Sequence, residues 1–170
     1  RHTARTPAEG RGRQPTSAVT LRNGPRMGRA TGRLQTLEVG GFECPVCSVA
    51  AGELRELRQK YPDVVSITFQ HMLIGGHANS PEAALAAECA SEQGAFEKYY
   101  DLLFENYTRL AKRNWRGLAK QSGVADLAAF DQCVASAKFA SSIDVDTTAA
   151  RLAGFGGTPS WIVGDSTYGG

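Results

Sequence analysis

Glu38-Val39-Gly40-Gly41-Phe42-Glu43-Cys44-Pro45-Val46-Cys47 is the stretch on which the reading of this chain turns. An apolar run from Leu34 to Val39 ends in Gly40-Gly41, which is read as loosening the backbone, a Cys-x-x-Cys pair follows, and a pattern of helical period begins at once. The order is strand, short loop, dithiol at a helix start. A thiol in such a place meets unpaired backbone N–H groups and the positive end of the helix dipole, which favour the thiolate, the species that attacks disulfides. Pro45 suits the first helical position, where its missing N–H has no partner to lose. Val46, Val49, Ala50, Leu54 and Leu57 recur at spacings of three and four and predict the buried face of a helix running to about Lys60, stopped by Tyr61-Pro62-Asp63. Cys44 is then the exposed attacking sulfur and Cys47 the shielded resolving one.

A Cys-x-x-Cys pair is also half of many zinc sites. The other half should be a second close pair of Cys or His. None exists: Cys89 and Cys133 are far apart in the chain, and His2, His71 and His77 make no ligand spacing with them. Redox chemistry is favoured over metal on that ground, and no metal or organic cofactor is implied.

With 170 residues and 42% apolar content, the chain can bury one ordinary core. Its net charge of +2 hides an asymmetry, because residues 1–33 hold eight Arg against one acidic residue and the remainder is net acidic. Residues 1–16 lack apolar periodicity and are predicted to be a disordered basic tail. Contact with nucleic acid or an anionic membrane is the functional reading of such a tail, a solvated linker the commoner one; nucleic acid is not carried forward as a partner. Residues 17–33 read as a leading strand or linker, with Ser17 to Arg22 alternating before the turn-like Asn23-Gly24-Pro25. No apolar run reaches the roughly 18 residues that a membrane span needs. There is no signal peptide, but the chain starts at Arg1 without Met, so removal of an upstream leader or anchor is an open expectation.

Further along, Val64 to Phe69 is rich in β-branched residues and is predicted to pair in parallel beside the strand Leu34 to Val39. Ser80-Pro81-Glu82-Ala83 opens a helix with a cap and an early proline. From there to about Leu152 the pattern is helical, broken at Gly94, around Lys112 to Asn114, at Gly123 to Asp126 and around Ser136 to Ala140. Gly154 to Pro159 ends the stretch, Ser160 to Val163 is a last strand, and the chain turns through Gly164 to Thr167.

Several separated motifs now line up with one family. Glu38 with Gly41 to Cys47, then Ala83 to Ala90 with Gln93-Gly94-Ala95-Phe96 and Asp101-Leu102-Leu103-Phe104, then Gly157-Thr158-Pro159 and its strand, resemble in order and spacing the DsbA-like branch of the thioredoxin superfamily. The resemblance covers about Leu34 to Gly170. It implies an α/β thioredoxin fold with an α-helical insertion, about residues 80–140, between its two halves, here without the usual final helix.

It also implies roles. Cys44 is the nucleophile, Cys47 resolves, and Glu38 matches the buried acid that handles protons for the resolving sulfur, an acid whose pKa desolvation raises. Strand alternation alone turns Glu38 to solvent; the six-residue step to Cys44 reverses that. Thr158-Pro159 matches a cis-proline segment facing the dithiol, where the Thr158 backbone pairs with an extended client. In some relatives a pair such as Cys89 and Cys133 forms a structural disulfide; two buried thiols are the alternative. Trp115 and Phe130 read as core, and His71 and His77 as loop histidines near the dithiol face. The implied activity is thiol–disulfide exchange with unfolded or extended polypeptides that carry cysteines, in partnership with a redox protein such as one in the membrane. A reductase or isomerase on the same fold stays open, because the dipeptide Pro45-Val46 carries no histidine, and so does a binding domain with a static disulfide. An extracytoplasmic location is favoured over a cytoplasmic one.

Overall fold

The computed structural model describes residues 24–169. The tail over residues 1–16 and the alternating stretch Ser17 to Arg22 lie outside them. A short strand β1 (Arg26–Gly28) is followed by β2 (Leu34–Gly40), helix α1 (Pro45–Lys60) and β3 (Val65–His71). Then come α2 (Ser80–Ser91), α3 (Phe96–Glu105), a 3-10 turn over Tyr107–Lys112, α4 (Trp115–Ser122), α5 (Leu127–Ala135), α6 (Ala140–Leu152), and the hairpin β4 (Ser160–Val163) and β5 (Ser166–Gly169). The predicted turn over Gly164 to Thr167 is tighter than expected, since Ser166 and Thr167 already belong to β5.

The five strands form one sheet in the order β1-β3-β2-β4-β5. β2 and β3 pair in parallel, with Glu38 opposite Phe69, as a strand–helix–strand crossover dictates. β4 returns antiparallel to β2 and sets Trp161 opposite Glu38. β1 pairs antiparallel at the far edge, Met27 opposite Ile67; at three residues it is too short for alternation to reveal.

Helices cover both faces. On one, Cys47 and Ala51 of α1 and the aromatic face of α3 (Phe96, Tyr99, Tyr100, Leu103, Phe104) share a core with Ile67 and Phe69. On the other, Val39 and Met72 pack against Ala150 and Phe155 around α6. Each such large apolar side chain contributes on the order of 1.5–3 kcal/mol through burial. A central strand enclosed in this way has no solvent face, so alternation cannot assign Glu38, which is fully buried.

Two expectations are corrected. The buried stripe of α1 is Cys47, Ala51 and Arg58, with Leu54 and Leu57 packed beside it, whereas Val46 and Val49 are 61% and 65% exposed. The period is as read but the phase differs, because Cys47 must enter the fold and so turns its valine neighbours outward; Arg58 is held inside by Asp101 at 2.6 and 2.8 Å. Gly40-Gly41, read as a loosened stretch, is buried and closely packed. A Cβ at Gly40 would fall 2.7 Å from the Phe69 ring, so glycine serves close approach rather than mobility.

The helical breaks fall where glycine and caps place them. Gly123 ends α4 at φ 92°, and the Asp126 carboxylate accepts from Ala128 N–H and Ala129 N–H to start α5. The extra break at Asn106 carries no glycine or proline signal.

Candidate active site

Cys44 is the N-cap of α1, in extended backbone at φ −81° and ψ 120°. Its own N–H bonds the Gly41 carbonyl. Its Sγ accepts the Cys47 N–H at 3.3 Å and lies 3.3 Å from the Thr158 carbonyl, to which the thiol donates. The sulfur thus occupies the place that Ser or Asp usually takes at a helix start. Both cysteines are free thiols. Cys44 is only 4% exposed, which corrects its reading as an exposed sulfur: the Thr158 segment roofs it. It still lies nearer solvent than Cys47, which is fully buried. Burial pushes the Cys47 thiol far above its usual range, against the lowering contact of the Gly41 backbone.

Thr158 and Pro159 arrive from the loop between α6 and β4, half-buried, with a cis peptide bond between them. The structure therefore brings Cys44, Cys47 and Thr158 into one cluster. Glu38 lies on β2, fully buried. Burial raises its carboxyl to about 8, while the Tyr100 hydroxyl and the Arg58 charge pull the other way. Tyr100 Oη lies 3.1 Å from Oε1 and 2.9 Å from Oε2 of Glu38.

Cys89 and Cys133 lie apart from this cluster and join α2 to α5 through an S–S bond of 2.02 Å. Trp115 and Phe130 are core, Trp115 with its indole N–H toward Glu82 at 3.4 Å. His71 is not in a loop. It ends β3, 1% exposed, with Nε2 3.1 Å from Glu88 Oε1, while His77 keeps the loop position.

Sequence reasoning missed Tyr100, Arg58 and Glu43. Tyr100 sits on an otherwise apolar helix face, where a hydroxyl carried into the core signals a buried polar partner. Glu43 directly precedes the dithiol. Its carboxylate accepts from Asn79 N–H at 2.7 Å, Asn79 Nδ2 at 2.7 Å and Ser80 N–H at 3.2 Å. Among the described residues no group of three or more His, Cys, Asp or Glu is arranged to hold a metal ion, and no helix is long and apolar enough to cross a membrane.

The sequence profile of the family described as Thioredoxin matches residues 21–170. The chain belongs to the thioredoxin family. Within it, the helices between β3 and β4 give the DsbA-like form of the fold. A thioredoxin-like oxidoreductase from Silicibacter pomeroyi DSS-3 matches with a TM-score of 0.74 at 26% identity, over 89% of this chain and 86% of that one. BdbD from Bacillus subtilis, in its oxidised form, matches with a TM-score of 0.76 at 22% identity, over 92% and 88%. A sequence relative is Na(+)/H(+) antiporter NhaA 3 of Salinispora tropica, 34% identical over 140 residues, which are 82% of this chain and 21% of that protein. The chain spans about a fifth of the length of the curated relatives it matches.

Proposed function

We propose that this chain is a protein thiol–disulfide oxidoreductase in which Cys44 attacks, Cys47 resolves and Glu38 moves the proton. The observation that carries the reading is the Cys44 sulfur at the N-cap of α1, within 3.3 Å of both the Cys47 N–H and the Thr158 carbonyl. A sulfur aimed at helix N–H groups is stabilised as an anion.

Starting from the dithiol, the Cys44 thiolate attacks one sulfur of a client disulfide. The Cys44–client bond forms and the other client sulfur leaves as thiolate. Glu38, as carboxylate, takes the Cys47 proton, and the Cys47 thiolate attacks Cys44 Sγ. The Cys44–Cys47 disulfide forms as the second client thiolate leaves. The reverse sequence oxidises a client dithiol, with the Glu38 acid returning the proton to Cys47. The proposed client is an extended polypeptide that aligns along the Thr158-Pro159 segment, and a second redox protein resets the dithiol. The Cys89–Cys133 disulfide favours an oxidising, extracytoplasmic compartment.

Cys47→Ala should accumulate mixed disulfides with a cysteine-containing peptide, and Cys44→Ala should form none. Exchange by the Cys44 variant overturns the roles. The reduction potential then fixes direction: about −120 mV marks an oxidant and about −270 mV a reductant.

A further inference from the structure

We propose that Tyr100 is a positioning residue for the proton chemistry of the dithiol, its hydroxyl holding the Glu38 carboxyl in place in both protonation states. The proposal rests on the reading of Glu38 given above. Tyr100 Oη stands within hydrogen-bond distance of both carboxyl oxygens, 3.1 and 2.9 Å. All of these atoms belong to fully buried side chains. A phenol brings one proton, so two bonds at once need a second, and the protonated carboxyl supplies it: phenol O–H to the carbonyl oxygen, carboxyl O–H back to the phenol oxygen. When Glu38 gives up its proton, the same hydroxyl donates to the carboxylate. Both states therefore keep a bond between the phenol and the carboxyl group, and neither requires Tyr100 to move.

The ring is fixed for this purpose. Phe42, Phe69, Phe96 and Phe104 surround it at centroid distances of 4.8 to 6.0 Å. Other charged or titratable groups act on the Glu38–Tyr100 pair. Cys47 and Arg58 approach from α1, and the Arg58 guanidinium lies 5.9 Å from the Tyr100 ring centroid, itself bonded to Asp101 and facing Glu97 at 3.4 Å. On β3 the nearest titratable side chain, His71, is turned to Glu88, and β4 presents Trp161. Tyr100 is thus the neutral donor that sets when Glu38 ionises, opposing the burial that raises it to about 8.

The test is Tyr100→Phe, which keeps the ring and removes only the hydroxyl. The carboxyl stretch of Glu38, isolated as the infrared difference from Glu38→Gln, reports its titration without any activity. Its midpoint should rise by about one pH unit or more in Tyr100→Phe, since a donor to the charged form is lost. Resolution of a Cys44 mixed disulfide at pH 7 should slow about tenfold, the loss in carboxylate fraction that one unit entails, and adding Tyr100→Phe to Glu38→Gln should slow it no further. An unmoved midpoint beside a slowed Glu38→Gln variant overturns the role of Tyr100 alone. Resolution by Glu38→Gln at the wild-type rate overturns the reading of Glu38 and this proposal together.

Discussion

Glu43 caps a helix to which it does not belong. Its carboxylate meets the backbone N–H of Asn79 at 2.7 Å, at the start of α2, 36 residues away. Asn79 makes no side-chain cap of its own and instead turns its amide to the same carboxylate. The residue before Cys44 therefore anchors the insertion to the dithiol loop. Glu43→Ala should cost about 1–2 kcal/mol in urea denaturation, the scale of a lost cap. A change within about 0.3 kcal/mol would show that α2 does not need this carboxylate.

Glu38 makes stability depend on pH. The folded chain holds its proton up to about pH 8, whereas an unfolded chain releases it near 4.5. Between these values the folded state binds the extra proton, so the contribution is full below pH 4.5 and is lost as pH rises toward 8, with a slope of up to about 1.4 kcal/mol per unit. Glu38→Gln stays neutral throughout. Its denaturation midpoint, measured from pH 5 to 8, should fall less than that of the wild type; parallel curves would mean that Glu38 ionises in the folded state as readily as in the unfolded one.

Arg58 is a charge in the core. Its guanidinium is held by both Asp101 oxygens and by Met27 Sδ. Arg58→Ala should destabilise by about 3 kcal/mol, since an ion pair broken from one side leaves the partner poorly solvated. Arg29→Ala, which removes the exposed pair with Asp63, should cost no more than about 0.5 kcal/mol. Thermal denaturation of the two variants side by side checks the contrast, and equal losses would contradict it.

The Cys89–Cys133 bond closes a loop of 44 residues. Replacing both cysteines with Ala should cost about 2–4 kcal/mol and leave thiol exchange at Cys44 in place while the variant stays folded. Loss of exchange in a variant with intact circular dichroism would tie this bond to the chemistry.

Much of the fold was legible because its signals are local. The parallel strands, the crossover helix and the helical breaks at Gly94, Gly123 and Asp126 follow from composition within a few residues of each feature. The phase of α1 was not, since Val46 and Cys47 are both apolar enough to face inward and only the fold decides between them. At the site, Cys44 and Cys47 are neighbours in the chain, but Thr158 meets Cys44 across 114 residues, and only the resemblance pointed to it. Tyr100 bonds Glu38 across 62 residues; no periodicity encodes which tyrosine of the Tyr99-Tyr100 pair does so. Gly40-Gly41 misled because glycine reads as freedom, while here the neighbouring Phe69 ring takes the space a side chain would fill.

The covalent tie between α2 and α5 has a mechanical consequence. The two helices enclose α3 and α4 in sequence, so cutting the chain at the exposed residues 111–114 would still leave both fragments joined. Opening fluctuations of the insertion must then carry α2 and α5 together. Their amide protons should exchange with solvent at one common free energy, and reduction of the bond should split it into two.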